Sequence, residues 1–441
     1  MRFDERSVLV HPWLFFFGER RVRGMNQNER DDLAIYLGLQ EFDVALMELE
    51  DSRRRGRIKV LSLVRRSGKH RCPECGREHA DALFEEAEAI RFRDCSLGDF
   101  ETYLEVEPVR VACCAGTRTE RLPFAMPGFR MTRRFFERVA GLCTRLPIAA
   151  VAQMAKLSWA TVAKVDGRAI ELALGDRPMD LQSLRWIGVD EVSWTGGRKY
   201  FTIVTDLRSG RVVWIGDGKG RKGFMPFLRA LGAKGRRKLQ GVVSDLGYQS
   251  IIASRLPRAA HVLDRFHIVQ WINDAITQVR RRLFSGAPRD ELGRTLKVKK
   301  RMLLSARENL KPKDRRMLDE LMELNEPLCK AYLLKEQLRG ILGYSWRYFG
   351  AMRDRLHEWI LAVLGSGLNE LKAVAHRIAK HLDAVIAGTR HEVPLGLVEA
   401  TNGKIAALPR QAHGYRDPEY FKLKIFQRCS LPNNPWAAIV L

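Results

Sequence analysis

The stretch that decides the fold is RWIGVDEVSW, residues 185–194, an apolar run that ends on two acidic residues. Two more β-rich runs follow it, KYFTIVTDL (199–207) and RVVWIGDG (211–218), with short polar turns between them. Three such runs joined by short turns predict an antiparallel meander. Because carboxylates are rarely buried without a partner, Asp190 and Glu191 either lie in an exposed turn or end a strand that holds a metal ion.

After residue 218 the pattern changes from strands alone to strands that alternate with helices. KGFMPFLRALGAKG and YQSIIASRLP predict helices, whereas KLQGVVSDL and AAHVLDRF predict a fourth and a fifth strand. Alternation of this kind is typical of parallel strand pairing. Three antiparallel strands followed by two parallel ones indicate a mixed five-stranded sheet of the RNase H-like type.

From residue 266 the chain is predicted to be helical over a long stretch. Apolar residues at spacings of three or four define one face of its first helix: Phe266, Val269, Ile272, Ile276, Val279 and Leu283. The basic runs RRRLF, KVKKR and KPKDRR follow. They favour DNA contact, through Arg280, Arg281 and Arg282 in the first run, with a solvated helix surface as the alternative.

Charge and composition narrow the class of partner. The 441 residues carry a net charge of +24 with a pI of about 10.0, and 46% of them are hydrophobic. This hydrophobic content argues against a disordered chain, and the positive charge favours nucleic acid as the partner, with a membrane surface second. The apolar run at 8–18 is too short to span a bilayer and lacks a cleavage site, so neither a membrane anchor nor a signal peptide is expected.

Acidic residues at strand ends suggest a metal site. Asp190 ends the first strand and Asp245 the fourth, and these strands are neighbours in an RNase H-like sheet. Two carboxylates this close repel each other unless a cation lies between them, and hard oxygen ligands suit Mg²⁺ or Mn²⁺. Glu399, in GLVEATNGKIAAL, is the candidate third ligand and shares a helix face with Asn402. Other acids near strand ends stay open as alternatives: Glu191, Asp206 and Asp217.

The eight cysteines are more typical of thiols or metal ligands than of disulfides, because no export signal is present. Cys72-Pro-Glu-Cys75-Gly predicts a zinc-knuckle turn. The second pair of a four-ligand Zn²⁺ site is Cys113 and Cys114, which are adjacent instead of separated by two residues. The alternatives are His79 or Cys95 as a substitute ligand, or a fold without metal.

LPIAAVAQMAKLSWATVAKVDGRAI, residues 146–170, predicts a helix-turn-helix in which Ser158 is the N-cap of the second helix. Core positions are predicted on both helices: Ala150, Val151, Met154, Val162 and Val165. A second helix that docks in the major groove would present Ser158, Trp159 and Lys164 to DNA. The alternative is a plain helical hairpin.

Four stretches, GVDEVSWTGGRKYFTIVTDL, VVSDLGYQS, VLDRFHIVQWINDAITQVRR and VEATNGKIAALPRQAHGYRDPEYFKLKI, resemble the ISL-three family of bacterial insertion-sequence transposases. The resemblance extends from about residue 34 to the C-terminus. It implies a DDE transposase whose triad Asp190, Asp245 and Glu399 holds two Mg²⁺ or Mn²⁺ ions. It also implies accessory residues near the metals: Asp264 and His267 in DRFH, and Asn402 and Lys404.

The resemblance further implies the partners. They are double-stranded DNA, as the terminal inverted repeats of the element and as target DNA, and a second copy of the chain in a homodimer on DNA, without a membrane. The expected location is the bacterial cytoplasm at the nucleoid. The alternatives are a catalytically inactive DNA-binding regulator derived from a transposase and a plain RNase H-like nuclease.

Together these observations predict an α+β multidomain chain in six parts. The parts are an irregular N-terminal extension (1–33), a zinc-ribbon-like DNA-binding module (34–120), a helix-turn-helix (121–180), the first part of the RNase H-like catalytic domain (181–265), an all-helical insertion (266–394) and the second part of the catalytic domain (395–441).

Overall fold

The computed structural model describes residues 27–39, 41–52, 56–66, 70–79, 88–114, 116–175, 180–194, 197–285, 300–343, 348–412 and 414–431. The apolar run at 8–18 lies outside these residues. The chain divides into two compact units, residues 1–169 with 435–441 and residues 170–434. As predicted, it combines many helices with mixed sheets. No helix among the described residues has the length and apolar character needed to cross a membrane.

The first unit begins with one helix, continues with eight strands and ends with three helices. In chain order they are α1 (Gln27–Tyr36), β1 (Phe42–Ser52), β2 (Gly56–Arg65), β3 (His70–Arg71), β4 (Glu78–His79), β5 (Ile90–Leu97), β6 (Phe100–Val106), β7 (Arg110–Cys113), β8 (Gly116–Thr119), α2 (Arg133–Cys143), α3 (Ile148–Ala155) and α4 (Trp159–Leu174). A four-stranded sheet has the order β1-β2-β6-β5, and β3/β4 and β7/β8 form two separate antiparallel hairpins.

Helix α1 lies partly within the segment that was expected to be irregular. It begins at Gln27, and Ala34 near its end is buried with Leu37 and Leu39 in the core of the four-stranded sheet. The charged sequence QNERDD has no apolar periodicity from which this helix could be predicted, because the apolar contacts of the helix come only in its last turn and in the residues after it. Residues 1–26 lie outside the described part of the chain.

Helices α3 and α4 form the predicted helix-turn-helix. Val151, Val162 and Val165 are fully buried, and the Ser158 Oγ accepts the Thr161 N–H at 3.1 Å as the N-cap of α4. The prediction for Met154 is wrong, because its side chain is 62% exposed. Ala150 is only half-buried. Two smaller residues, Ala152 and Ala155, occupy the inward positions instead.

Polar contacts join α2 and the residue after α3 to the four-stranded sheet. The fully buried Asp94 of β5 accepts hydrogen bonds from the Thr132 Oγ1 at 2.6 Å and the Arg134 Nε at 2.7 Å, at the start of α2. The Lys156 Nζ, after α3, lies 3.6 Å from the Glu101 carboxylate of β6. Within this unit, buried contacts therefore anchor α2 to the sheet, and an ion pair of the exposed Lys156 side chain joins the end of α3 to it.

The second unit begins with a five-stranded sheet. Its elements are β9 (Trp186–Ser193), β10 (Tyr200–Asp206), β11 (Arg211–Asp217), α5 (Gly220–Lys238), β12 (Gly241–Ser244), α6 (Gln249–Arg255), β13 (Ala260–Leu263) and α7 (Arg265–Ser285). The strand order is β11-β10-β9-β12-β13; the first three strands are antiparallel, and β12 and β13 run parallel to β9. Phe224, Phe227 and Leu231 of α5 pack on this sheet in one core cluster.

A helical segment follows, with its own hydrophobic core. After α7 it contains α8 (Lys300–Leu304), α9 (Pro312–Leu324), α10 (Glu326–Gly343), α11 (Phe349–Gly365), α12 (Asn369–Lys380) and α13 (Leu382–Arg390). Ile272, Ile276 and Val279 of α7 are buried as predicted. Phe266 is not, because 54% of its side chain is exposed and Ile268 takes the inward position of the first turn.

Two last helices return the chain to the five-stranded sheet, α14 (Gly396–Gln411) and α15 (Pro418–Ser430). Ile405 of α14 and Phe421 of α15 pack against Phe201 of β10. Helix α14 also lies close to β9, because a Cβ atom on Gly188 would lie 2.5 Å from the Val398 Cγ2. Residues on the two sides of the helical segment therefore meet at the same sheet.

Candidate active site and metal centre

Three aspartates follow one another across three adjacent parallel strands. The β9–β12 ladder pairs Gly188 with Val243, so Asp190 and Asp245, two residues further, are level with each other. The β12–β13 ladder pairs Ser244 with Leu263, which places Asp264 next to Asp245. Neighbouring strands lie about 4.8 Å apart. The carboxyl ends of β9, β12 and β13 therefore carry a row of aspartates.

Asp190 is half-buried and held by two donors. One oxygen accepts the N–H of Glu191 at 2.7 Å, and the other accepts a hydrogen bond from the Asn402 Nδ2 of α14. Burial raises the pKa of Asp190, and the charge of Asp264 adds to this rise, whereas the hydrogen bonds and the charge of His267 oppose it. A cation at this position would relieve the cost of holding the charged carboxylate here.

Asp245 and Asp264 both begin the turn that follows their strand. The Asp245 Oδ1 accepts the N–H of Gly247 at 2.9 Å, in the 3₁₀ turn Leu246–Tyr248. The Asp264 Oδ1 accepts the N–H of Phe266 at 3.0 Å, at the start of α7. Asp264 is only 5% exposed. Both carboxylates are thus fixed by local backbone donors of the kind that an N-cap uses.

His267, one helical turn after Asp264, faces the row of aspartates. Its Nδ1 lies 3.7 Å from the Asp264 Oδ2, an ion-pair distance longer than a hydrogen bond. Asp264 raises the pKa of His267 most, and the charges of Asp190 and Asp245 raise it further. Asp264 of the DRFH pair therefore lies one strand away from Asp245, and His267 pairs with Asp264.

Glu399 does not complete this row. Its side chain is exposed on the first turn of α14, and Asn402, one turn later, is the residue that contacts Asp190. Across the described residues, Asp190, Asp245 and Glu399 do not form a group whose ligand atoms all lie within 4.8 Å of one another. Lys404 is exposed as well. The helix that carries Glu399 is in contact with the site, but the carboxylate itself is not.

The other strand-end acids have partners elsewhere. Glu191 accepts hydrogen bonds from the Gly220 N–H and the Tyr248 hydroxyl. Asp206 accepts the N–H of Ser209 at 3.1 Å in the β10–β11 turn, and Asp217 lies 2.9 Å from the Lys422 Nζ. Since successive side chains on a strand point to opposite faces, Glu191 and Asp190 lie on opposite sides of the sheet.

A second cluster of possible ligands lies in the first unit. The thiol groups of Cys72, Cys75, Cys113 and Cys114 all lie within 4.8 Å of one another. The two hairpins β3/β4 and β7/β8 supply two cysteines each. Gly76, with φ of 71°, lets the first hairpin turn back after Cys75. Cys95 packs against the core of α2 and α3 instead, and the side chain of His79 lies outside the described residues.

The chemistry of the four cysteines fits a tetrahedral metal ion. Zinc–sulfur bonds of 2.3 Å place the sulfurs about 3.8 Å apart, and the sulfurs of Cys75 and Cys113 are 3.4 Å apart here. The Arg77 N–H and the neighbouring thiols lower the pKa of Cys75 to about 7. The hydrogen bond with Cys75, together with burial, raises the pKa of Cys114 to about 12, and the charges of the neighbouring thiolates add to the rise. The group stabilises one thiolate, and a cation would be needed to stabilise more.

The predicted DNA contacts differ in exposure. Ser158, Trp159 and Lys164 are exposed at the start and along one face of α4, with Trp159 56% exposed. At the end of α7, Arg281 is exposed, Arg280 is half-buried and Arg282 forms an ion pair of 2.6 Å with Glu370. The second helix of the helix-turn-helix thus offers a clearer DNA-facing surface than the arginine run.

Comparison with known proteins identifies the two functional parts. A family model described as a transposase matches residues 187–425, more than half of the chain, and one described as the helix-turn-helix domain of transposase family ISL3 matches residues 120–166. The chain belongs to the ISL3 family of insertion-sequence transposases. The family assignment made from the sequence is therefore confirmed, and so is a transposase with a DDE domain and a helix-turn-helix.

Two individual relatives match over most of the chain. The transposase for insertion sequence element IS1001 of Bordetella parapertussis is 30% identical over 369 residues, which cover 82% of this chain and 89% of that protein. The transposase for IS1557 of Mycobacterium tuberculosis (strain CDC 1551 / Oshkosh) is 29% identical over 390 residues, which cover 82% and 85%. The DDE match begins in β9 just before Asp190 and ends in α15, so it includes the whole predicted triad.

Proposed function

We propose that Asp190, Asp245 and Glu399 form one metal site with which this ISL3 transposase cuts the ends of its element and joins them to target DNA. The observation that supports the proposal is the register of β9 and β12, whose last pair, Gly188 and Val243, lies two residues before Asp190 and Asp245. The strand order β11-β10-β9-β12-β13, with three antiparallel and two parallel strands, supports an RNase H-like catalytic domain. After the helical insertion the chain returns to the sheet in α14, which carries Glu399 and packs on β9.

Each carboxylate has a distinct role in this proposal. Asp190 and Asp245 would be the main ligands of the ions, and Glu399 would complete the ligand set from the same helix face as Asn402, because residues three apart on a helix are neighbours. When bound, two Mg²⁺ or Mn²⁺ ions supply an activated oxygen nucleophile and stabilise the leaving oxygen. Asn402 keeps Asp190 in place, and the exposed Lys404 orients the phosphate.

DNA recognition falls to the first unit. The exposed face of α4 enters the major groove at the terminal inverted repeats, and Zn²⁺ bound by the four cysteines holds two hairpins of the zinc-ribbon-like module together. The net charge of +24 supports contact with target DNA as well. Two element ends must be brought together, so we propose that the active form is a homodimer on DNA in the bacterial cytoplasm, with the six-part organisation predicted from the sequence.

A cleavage assay on a labelled duplex that contains one element end tests the proposal. With Mg²⁺ the wild type should nick the 3′ end, and EDTA or Ca²⁺ should stop the reaction. Asp245→Asn should cleave at least about 10³-fold more slowly, since metal ions contribute several kcal/mol to the transition state, with unchanged DNA binding. Asp217→Asn is the matched control, because Asp217 also ends a strand but is paired with Lys422.

Two results would oppose the proposal. Cleavage by Asp245→Asn at the wild-type rate would remove Asp245 from the site. Tight and specific binding of the element end by the wild type, without cleavage under any metal condition, would instead support a DNA-binding regulator that has lost activity.

A further inference from the structure

A hydrogen-bonded cluster lies on the face of the sheet opposite to the aspartates. Glu191, directly after Asp190, accepts a hydrogen bond of 3.0 Å from the Tyr248 hydroxyl at its Oε1. Tyr248 ends the 3₁₀ turn that Asp245 begins, and only 1% of its surface is exposed. The contact therefore joins the backbone beside one aspartate to the backbone beside the other.

The start of α5 strengthens the same contact. The Gly220 N–H donates to the Glu191 Oε1 at 2.8 Å, and the Thr202 Oγ1 donates to the Gly218 carbonyl at 2.9 Å. A Cβ atom on Gly223 would lie 2.0 Å from the Thr202 Oγ1, so glycine is required for α5 to come this close. The Glu191 carboxylate is thus fixed by two donors in a closely packed environment.

The sheet alone does not hold the two aspartates together. The β9–β12 ladder ends at the pair of Gly188 and Val243, two residues before Asp190 and Asp245. Beyond that pair the two chain segments diverge, one into the end of β9 and the other into the 3₁₀ turn. The hydrogen bond between Glu191 and Tyr248 joins them beyond the end of the ladder.

We propose that Glu191 and Tyr248 are positioning residues that set the separation of Asp190 and Asp245, and with it the affinity of the site for its divalent ions. This inference rests on the proposed function, because it assumes that these two aspartates bind the metal. In this proposal the face of the strand end that carries Asp190 binds the ions. The opposite face, which carries Glu191, determines the distance between the two aspartates.

Tyr248→Phe is the first test, because it removes the hydroxyl and keeps the ring that packs edge-on against Phe224 with centroids 5.6 Å apart. Mn²⁺ binding to the full-length protein on an element-end duplex is measured by electron paramagnetic resonance. The dissociation constant should rise roughly tenfold, the scale of a hydrogen bond to a charged group. The Mg²⁺ concentration for half-maximal cleavage should rise with it, and the rate at saturating Mg²⁺ should stay within about threefold.

Tyr332→Phe is the matched control. Tyr332 is also buried, at 2% exposure, but lies in α10 of the helical insertion. Tyr332→Phe also removes a buried hydroxyl, and it should leave Mn²⁺ affinity unchanged. Glu191→Gln keeps an oxygen that accepts both hydrogen bonds and should stay close to the wild type, whereas Glu191→Ala should weaken Mn²⁺ binding at least as much as Tyr248→Phe.

The outcomes separate this inference from the proposed function. If Asp245→Asn abolishes Mn²⁺ binding while Tyr248→Phe and Glu191→Ala bind Mn²⁺ like the wild type, the positioning role is refuted and the metal site stands. If Tyr248→Phe lowers thermal stability without changing Mn²⁺ affinity, the contact is structural only, which also refutes the role. If Asp245→Asn binds Mn²⁺ and cleaves normally, the proposed metal site itself is wrong. Should Tyr248→Phe fail to fold, the comparison of Glu191→Ala with Glu191→Gln decides.

Discussion

The cysteine cluster and the row of aspartates gather their ligands in different ways. The four cysteines lie on two short hairpins between residues 72 and 114, and their thiols already lie within 4.8 Å of one another. The carboxylates come from two strands and a helix, and the first and last of them, Asp190 and Glu399, are more than 200 residues apart. Glu399 remains exposed, while Asp190 is held by Asn402. Ligands on short hairpins are positioned by local backbone geometry, whereas ligands on distant elements depend on how those elements pack.

Charge explains the rest of the difference. The cysteine group stabilises one thiolate, because the pKa of Cys75 is lowered to about 7 while those of Cys113 and Cys114 are raised, so the four thiol groups approach one another with little repulsion. Carboxylates are charged at neutral pH, and the pKa of Asp190 is raised mainly by burial, with a smaller contribution from the charge of Asp264. A third carboxylate should join Asp190 and Asp245 only when cations and DNA are present. We therefore expect the cysteine site to be formed in the free protein and the carboxylate site to close on its substrate.

The largest expected effect is loss of the cysteine site. Structural zinc contributes about 10 kcal/mol or more to the folding of small zinc modules, so Cys75→Ser should reduce bound zinc from about one ion per chain to nearly none. Binding of the inverted repeats should fall with the loss of zinc, by at least about 100-fold, because specific DNA binding exceeds non-specific binding by at least this factor. Zinc content is measured by mass spectrometry and DNA binding by fluorescence anisotropy.

Cys329→Ser is the control, because Cys329 lies in α10, outside the cluster. If Cys75→Ser keeps both zinc and DNA binding, the cysteines are a structural group without metal, and the contrast between the two sites disappears.

The next effect concerns Glu399, which should matter for catalysis and not for stability. Glu399→Gln should slow cleavage by about 10³-fold at saturating Mg²⁺, because a metal ligand is lost. The thermal midpoint should stay unchanged, since the side chain is exposed and surface substitutions change stability by about 0.5 kcal/mol or less. Single-turnover cleavage and calorimetry are the measurements. Glu358→Gln, another exposed helix position, should leave both unchanged, and equal effects of the two substitutions would argue against a role for Glu399.

A smaller effect is expected for Asn402, which positions Asp190. Asn402→Ala removes the hydrogen bond to the Asp190 carboxylate. Hydrogen bonds to charged groups contribute about 1.5–3 kcal/mol, so single-turnover cleavage should slow by roughly 10- to 100-fold. Asn369→Ala, at the start of α12, is the control. A wild-type rate for Asn402→Ala would mean that the hydrogen bond from Asn402 to Asp190 does not contribute to cleavage in the DNA-bound protein.

The smallest effect tests how far the first hairpin prepares the cysteine site. Gly76→Ala forces alanine into a left-handed conformation with φ of 71°, and nothing else obstructs its Cβ. The cost should be about 1 kcal/mol, which corresponds to roughly fivefold weaker zinc binding. Competition with a chromophoric chelator measures it. Gly340→Ala, in the interior of α10, is the control and should leave zinc affinity unchanged. If Gly76→Ala bound zinc as tightly as the wild type, the turn at Gly76 would not be what prepares the site.

The sequence predicted the sheet better than it predicted the details of the site. Alternation and turn residues were enough for β9 to β13 and for the helices around them, because both are local signals. Asp264 was predicted as a strand-end residue near the metals, but only as an accessory one and not in one row with Asp190 and Asp245. HVL and VVS are each followed at once by aspartate, in DRF and DLG, and this repeat could have indicated that the two predicted parallel strands end at the same level.

Other differences had no local signal. Periodicity could not decide between Met154 and its alanine neighbours as core residues, because both choices fit a helix of eight residues. The ion pair between Arg282 and Glu370 joins positions 88 residues apart and depends on how α7 packs against α12. The adjacent Cys113 and Cys114 seemed unsuited to one site, since neighbours on a strand point apart, but β7 ends at Cys113 and the hairpin turn begins there.

The most direct test of the account is a crystal structure of the protein on element-end DNA with Mn²⁺, in which anomalous scattering locates the ions. We predict manganese between Asp190 and Asp245, with a Glu399 oxygen about 2.1 Å from an ion, the length of a bond to a small hard cation. Manganese bound to Asp190 and Asp245 with Asp264 as the third ligand, and Glu399 still exposed on α14, would contradict the account.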